Sequence, residues 1–271
     1  MIVGSALACV LGVRAAYPQS VESEPRRTFY SGHDGLVAAG FLAASAGISV
    51  FDAQIAHFFQ DTARVHVRVG RKAQNVFTRV NETTLTVGGL AMWGIARLAG
   101  AHTLADVSFH VASSVAAASL SSQVIRGPLG RTRPRNADPA YENQYDFHFM
   151  KGFGHFEQRA FPSIHSSSGF AAASALVAEV QQRRPGAAWA VGVPAYALAL
   201  TPGLSRMYMG QHWASDIFAG AFLGTFYGWR VVQYAHSHET TPVDRLFLGR
   251  GNRSVAGRQA TRSRIGWSIS F

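Results

Sequence analysis

Apolar residues are gathered into six long segments that are separated by shorter polar stretches. These segments are rich in alanine and glycine, and they run over about 35–51, 85–99, 105–125, 166–181, 187–204 and 213–234. Between the first two, residues 52–84 mix apolar residues with charges, a pattern typical of one or two amphipathic helices. The chain is therefore predicted to be all-α, a helical bundle of about six core helices.

The two ends of the chain differ from this pattern. Residues 1–16 contain an apolar run, Ile2 to Val13, that is too short to span a bilayer and looks like the core of a signal peptide without its basic start. Residues 242–271 carry six arginines against one acid. We expect a signal-like or flexible segment at 1–34, one domain at 35–235 and a basic tail at 236–271.

The chain is basic, because 25 lysines and arginines outnumber 15 acidic residues and give a formal net charge of +10. Such a charge suits nucleic acid, an anionic membrane or an acidic substrate. The basic residues are not interleaved with aromatic ones and show no zinc-finger spacing, so nucleic acid is not expected as a partner. The single cysteine, Cys9, excludes a disulfide within the chain.

Three polar blocks carry the candidate chemistry, and the first runs from Arg126 through Arg131 and Arg133 to Pro134. An arginine side chain keeps its charge and can donate two hydrogen bonds to one phosphate, so this block can hold a phosphoryl group. Pro128 and Pro134 indicate that the chain leaves a helix here. A basic flank beside a membrane is the alternative interpretation of the same residues.

The second block, Pro162-Ser163-Ile164-His165, is typical of a helix start. Ser163 precedes a long run of small and apolar residues as a candidate N-cap, and free N–H groups at a helix N-terminus attract anions. His165 in the first turn is then positioned to meet a bound phosphate. A surface histidine without a catalytic role would give the same pattern.

The third block places Arg206, His212 and Asp216 at spacings of six and four residues. If the chain is helical from Gln211 onward, His212 and Asp216 share one helix face. A carboxylate that accepts a hydrogen bond from one ring nitrogen leaves the other nitrogen free to attack phosphorus. An exposed His–Asp pair is the alternative, but Asp216 heads a strongly apolar helix, where a charge needs a reason.

Together the three blocks resemble the motifs of the type 2 phosphatidic acid phosphatase superfamily, which also includes class A acid phosphatases and vanadium haloperoxidases. The family pattern is Lys-x6-Arg-Pro, then Pro-Ser-Gly-His, then Ser-Arg-x5-His-x3-Asp, and the same order and spacing recur here. Two positions depart from it, since Arg126 replaces the lysine and Ile164 replaces the glycine. The resemblance covers about residues 35–234.

This resemblance implies hydrolysis of a phosphate monoester or pyrophosphate through a phosphohistidine intermediate. His212 would be the nucleophile, Asp216 would orient it, and His165 would protonate the leaving alcohol and then activate water. The phosphate oxygens would be held by Arg126, Arg133, Ser163, Ile164 and Arg206. No metal and no other cofactor is implied, and vanadate would bind only as a phosphate mimic.

The resemblance also implies a lipid phosphate substrate and a multi-pass bacterial membrane protein. Counting Arg26–Arg27, Arg183–Arg184 and the C-terminal arginines as cytoplasmic predicts that the active site faces the periplasm. Several apolar segments are shorter than the roughly 20 residues of a membrane span, which leaves a soluble periplasmic acid phosphatase as an alternative. The motifs are also compatible with a vanadium-dependent haloperoxidase and, because of Ile164, with a non-catalytic member. The aromatic residues of segment 136–161 either line a groove for a lipid tail or pack this segment onto the helices.

Overall fold

A computed structural model describes residues 29–65, 77, 79–138 and 140–237, with the backbone alone for 62–65. Its α-helices are α1 (Gly32–Ser49), α2 (Asp52–Val65), α3 (Glu82–Leu98), α4 (His102–Leu129), α5 (Ile164–Arg183), α6 (Ala188–Tyr208) and α7 (Ala214–Ser237). The predicted all-α bundle is confirmed. The N-terminal segment up to residue 28 and the basic tail from residue 238 lie outside the described residues.

Each of the six apolar segments corresponds to one helix, and the first part of the mixed stretch forms α2. Helix α3 begins after Asn81, whose side-chain oxygen accepts hydrogen bonds from the N–H groups of Thr83 and Thr84, both at 3.0 Å. Such a cap satisfies N–H groups that have no partner within the helix. Residues 66–76 and 78 of the predicted amphipathic stretch lie outside the described residues.

Helices α5 and α7 approach so closely that α7 requires glycine at the contact. A Cβ atom at Gly220 would lie 2.3 Å from the backbone oxygen of Ser163, and one at Gly224 would lie 2.3 Å from that of Ser167. No larger residue fits at such distances without moving the helices apart. This contact fixes the N-terminal parts of α5 and α7 against each other, and these parts carry residues of the second and third blocks.

The three blocks lie at the same end of the bundle. Helices α4 and α6 end there, and α5 and α7 begin there. Across this end the N–H of Ser163 donates to the backbone oxygen of Asp216 at 3.0 Å. Because two helices end and two begin at this end of the bundle, residues that are far apart in sequence come together there.

The outer surface of several helices is apolar, with Leu42, Leu120 and Trp189 exposed by 62%, 66% and 83%. Within the described ranges, one helical stretch is long and apolar enough to cross a membrane. It is Pro185–Tyr208, which consists of α6 and the single helical turn before it. Helix α1 and the start of α2, Gly32–Ser49 and Asp52–Asp61, meet the same criterion together as a pair bent by 58°. Of the six predicted spans, this criterion thus supports one, or two if the bent pair is a single span.

Candidate active site

The first block begins in the last turn of α4 and continues into an extended segment. Helix α4 ends at Gly130, which has a φ of 60° in the left-handed region that glycine adopts readily. A Cβ atom there would lie 1.9 Å from the backbone oxygen of His148, so no other residue fits. Beyond this turn, the N–H of Thr132 donates to the backbone oxygen of Asp146 at 3.0 Å, which joins the block to the aromatic segment.

Arg131 does not face the phosphate site but is buried beneath it. Its guanidinium donates to Asp216 at 2.6 Å, to Asp52 at 2.9 Å and to the hydroxyl of Ser215 at 2.8 Å. The sequence includes Arg131 in the first block, and the structure gives this residue a task other than phosphate binding. It compensates two fully buried carboxylates, one of them the predicted orienting residue Asp216.

Arg133 is held in place between Gln211 and Phe156. The side-chain oxygen of Gln211 accepts a hydrogen bond from its guanidinium, which also lies 3.9 Å from the centre of the Phe156 ring. Burial, and then the neighbouring positive charge of Arg126, lowers the pKa of Arg133 to about 9. An anion bound between these arginines would relieve their mutual repulsion.

The second block starts α5 as the sequence predicts. Ser163 is the N-cap, and its hydroxyl accepts a hydrogen bond from the N–H of Ser166 at 3.4 Å. Ile164 is the first residue of the helix, and its side chain is buried, with 3% exposure. Because this position has a helical backbone, isoleucine meets no backbone strain where the family has glycine.

The third block holds His212 just before α7 rather than within it, so His212 and Asp216 are not on one helix face. The Nδ1 atom of His212 lies 2.7 Å from the backbone oxygen of Ala160 and 3.7 Å from the nearer oxygen of Asp216. That oxygen instead accepts the N–H of Trp213 at 2.7 Å. The carbonyl of Ala160, which the sequence does not indicate, is therefore the direct partner of the ring.

With its Nδ1–H donated to a carbonyl, His212 carries its free electron pair on Nε2. Burial, opposed by the nearby carboxylate of Asp216, lowers the pKa of His212 to about 4. The ring is thus neutral at the pH of most cellular compartments, which is the form a nucleophile requires.

His165 and Arg206 face each other, since a guanidinium nitrogen of Arg206 contacts Nε2 of His165. Around them lies a set of buried donor atoms that make no hydrogen bond to protein groups. These atoms are Nε of Arg126, Arg133, Arg159 and Arg206, and Nδ1 of His165. Buried polar atoms without a partner are rare in proteins, and such a concentration of cationic donors is suited to an oxyanion.

Arg159 is a member of this set that the sequence did not reveal. Its backbone oxygen accepts a hydrogen bond from Arg126 at 2.5 Å, and it lies one residue before Ala160. It belongs to none of the three motifs. The only available signal was a further arginine close to the start of the second block.

The aromatic segment borders the same end of the bundle and divides into two groups of side chains. Tyr141 packs inward, with its ring centre 5.7 Å from that of the buried Trp213. Phe149, Phe153 and Phe156 face outward, with exposures of 77%, 58% and 56%. One aromatic residue therefore packs this segment onto the bundle, as one of the two interpretations predicts, while three others present an exposed apolar surface.

Comparison with known proteins gives a family for this region. The model of the PAP2 superfamily matches residues 107–239, the part of the chain that contains all three blocks. Residues 107–239 are therefore similar to the PAP2 superfamily, as the motifs predict.

Two relatives are lipid A phosphatases by name. The lipid A 4'-phosphatase of Bacteroides thetaiotaomicron is 30% identical over 118 residues, which is 43% of this chain and 48% of that protein. The lipid A 1-phosphatase of Porphyromonas gingivalis is 36% identical over 69 residues, 26% of this chain and 15% of that protein. The chain thus matches less than half the length of either relative.

Among solved structures, the transmembrane PAP2 type phosphatidylglycerolphosphate phosphatase of Bacillus subtilis is similar, with a TM-score of 0.49 and 18% identity. The match covers 75% of this chain and 96% of that structure.

Proposed function

We propose that the protein is a membrane-bound phosphatase that removes a phosphate group from a lipid without a metal ion. The observation that carries this proposal is the meeting of a neutral, buried His212 with a second histidine and with buried arginines whose Nε atoms have no protein partner. These are the nucleophile, the acid and the charge stabilisation that phosphoryl transfer requires.

Burial and the charge of Arg206 lower the pKa of His165 to about 2, and the negative charge of a bound phosphate opposes this shift so that His165 can carry a proton. In the first step, Nε2 of His212 attacks phosphorus, and the bond from phosphorus to the leaving oxygen breaks as protonated His165 gives its proton to that oxygen. In the second step, water attacks the phosphohistidine, His165 takes a proton from this water, and the bond to Nε2 breaks. Acid and base roles alternate in one residue, as microscopic reversibility favours. The guanidinium groups of Arg126, Arg133 and Arg206 bind the equatorial oxygens, on which negative charge is spread in the transition state.

The N-terminus of α5 adds uncharged hydrogen-bond donors to the same site. Ser163 and the N–H of Ile164 lie at the start of a helix, where unpaired N–H groups and the helix dipole favour an anion. Helical backbone at Ile164 supports an active rather than a degenerate site, since the N–H direction does not depend on the side chain.

A lipid substrate is supported by two independent observations. The outward side chains of Phe149, Phe153 and Phe156 offer an apolar surface next to the arginines, since Phe156 stacks on Arg133 itself. The relatives that match this region carry the names of lipid A phosphatases. Apolar side chains exposed on the helices support a bilayer around the bundle. Arg183–Arg184, at the end of α5 away from the site, favour the cytoplasmic side and so support a site at the periplasmic face.

The test is phosphate release by the full chain in detergent, from a panel of lipid phosphates and one soluble phosphate ester, with and without chelator. We expect release from lipids to exceed release from the soluble ester and to be insensitive to chelator. His212→Ala should abolish it, whereas His33→Ala, at an exposed histidine of α1, should not. Loss of activity with chelator in protein that remains folded would contradict metal-independent catalysis, and equal turnover of the soluble ester would contradict lipid specificity.

A further inference from the structure

A second group of ionisable side chains lies at the opposite end of the bundle, and the phosphatase mechanism does not use it. It consists of His110 on α4, Glu179 on α5 and His236 on α7, one residue from each of the helices that also border the phosphate site. His165 and Glu179 lie on the same helix, 14 residues apart, which corresponds to about 20 Å at 1.5 Å per residue.

The three side chains converge on one point. One carboxylate oxygen of Glu179 contacts both Nδ1 of His110 and Nε2 of His236, the latter at 2.9 Å. The possible ligand atoms lie within 4.8 Å of one another. Tetrahedral ligands bound to Zn²⁺ at about 2.0–2.2 Å lie about 3.3–3.6 Å apart, so side-chain shifts of about 1 Å would bring these atoms to bonding distance.

The other oxygen of Glu179 is fixed from outside the cluster. It accepts hydrogen bonds from the guanidinium of Arg183, with both nitrogen-to-oxygen distances at 2.9 Å. This arrangement holds the carboxylate with its remaining oxygen directed at the two imidazoles. An outer partner that orients a ligating carboxylate in this way is typical of metal sites.

Burial makes a merely structural explanation incomplete. Glu179 has 0% exposure and His110 has 2%, so neither group is hydrated at the surface. The second ring nitrogen of His110, Nε2, has no hydrogen-bond partner, so the hydrogen bonds within the cluster do not satisfy every polar atom of these side chains. His236 is 14% exposed, which gives an ion a route from solvent and leaves room for water as a further ligand.

We propose that His110, Glu179 and His236 bind a Zn²⁺ ion that links α4, α5 and α7 at the end of the bundle away from the phosphate site. Two imidazole nitrogens and one carboxylate oxygen are a donor set that Zn²⁺ uses, and harder cations such as Mg²⁺ prefer oxygen ligands. The spacing of the ligands hides the site in the sequence, because His110 and His236 are 69 and 57 residues from Glu179.

The test uses the full chain without a histidine tag, purified in detergent, stripped with chelator and titrated with Zn²⁺, and with Co²⁺ as a spectroscopic probe. We expect one Zn²⁺ per chain, visible absorption bands with Co²⁺ and a Tm that rises with Zn²⁺ concentration, because the ion binds the folded state. His236→Gln and His110→Gln should weaken binding by more than the roughly 10- to 100-fold expected for loss of an outer partner, here Arg183→Gln.

His102→Gln, at an exposed histidine of α4, is the matched control and should bind like the unmodified protein. His236 is the most exposed of the three proposed ligands, so His236→Gln should fold. The test therefore remains valid even if a change at Glu179 prevents folding. The absence of Zn²⁺ binding, or an unchanged affinity in His236→Gln and His110→Gln, would overturn the proposal and leave a hydrogen-bonded network. His212→Ala should bind Zn²⁺ normally, which separates this outcome from failure of the phosphatase proposal.

Discussion

The ring of His212 is held by the backbone of Ala160, with Nδ1 and the carbonyl oxygen 2.7 Å apart. The carboxylate of Asp216 lies farther from the same nitrogen, at 3.7 Å. A backbone carbonyl can only accept a hydrogen bond, so this contact selects the tautomer with its free electron pair on Nε2. Asp216 then acts mainly through its charge.

This division of tasks predicts a moderate effect of Asp216→Asn. We expect kcat to fall by about 10²-fold, far less than the roughly 10⁴-fold loss seen when a carboxylate alone fixes the tautomer of a catalytic histidine. The measurement is steady-state phosphate release, with circular dichroism to verify the fold. A loss near 10⁴-fold in a folded variant would mean that Asp216 fixes the ring itself.

The buried ion pairs of Arg131 predict a structural rather than a catalytic role. Removing one partner leaves buried charge uncompensated, so Arg131→Met should cost about 3–5 kcal/mol of stability. Thermal unfolding in detergent measures this loss, and Arg135→Met, at an exposed arginine of the same segment, is the control. An Arg131→Met protein with the stability of the control would contradict this role.

Arg159 should contribute to binding of the phosphate although it lies outside the motifs. Its buried Nε has no protein partner, so we expect Arg159→Ala to lower kcat/KM by about 10- to 100-fold, since one charge-assisted contact is worth roughly 1.5–3 kcal/mol. Arg159→Lys should recover part of the loss. Arg184→Ala, at an exposed arginine near the far end of the bundle, should have no effect, and equal activity of all three variants would exclude the role.

The low pKa of His212 predicts how activity and stability depend on pH. Burial first, only partly opposed by Asp216, lowers this pKa from 6.5 to about 4, so the nucleophile stays neutral down to about pH 4. The nucleophile should therefore add no acidic limb to kcat/KM between pH 7 and pH 5.

The same shift affects folding with a definite sign. The unfolded state binds this proton more readily, so the contribution of His212 to stability is present above about pH 6.5 and is lost as the pH falls toward 4. This loss is on the order of 3 kcal/mol. Comparison of Tm against pH for the unmodified protein and His212→Gln isolates it, and parallel curves would contradict it.

Replacing Ile164 by glycine distinguishes an active enzyme from a degenerate member of the family. Because Ile164 is buried in a helical first turn, Ile164→Gly should lose stability without gaining activity. Ile164→Ala controls for the lost side chain alone. A marked gain of phosphate release in the glycine variant would show that isoleucine impairs the site.

The sequence predicts the bundle and the meeting of the three blocks, because long apolar segments define helices and the motif spacing is local. It cannot predict the ion pair of Arg131 with Asp52, since the two residues are 79 positions apart and nothing in either segment indicates the other. The carbonyl of Ala160 is equally hidden, because a backbone group has no residue identity. The predicted helix from Gln211 is wrong at its start, since α7 begins at Ala214 and leaves His212 free to turn toward Ala160.

The central claim is that His212 is the nucleophile, and trapping its phosphoryl adduct tests this most directly. The protein is mixed with a lipid phosphate, quenched within a turnover under basic conditions that preserve phosphohistidine, and examined by peptide mass spectrometry. We predict an acid-labile phosphoryl group on His212, absent from His212→Ala and present in His33→Ala. Continued phosphate release by His212→Ala, with no adduct in the unmodified protein, would contradict the account.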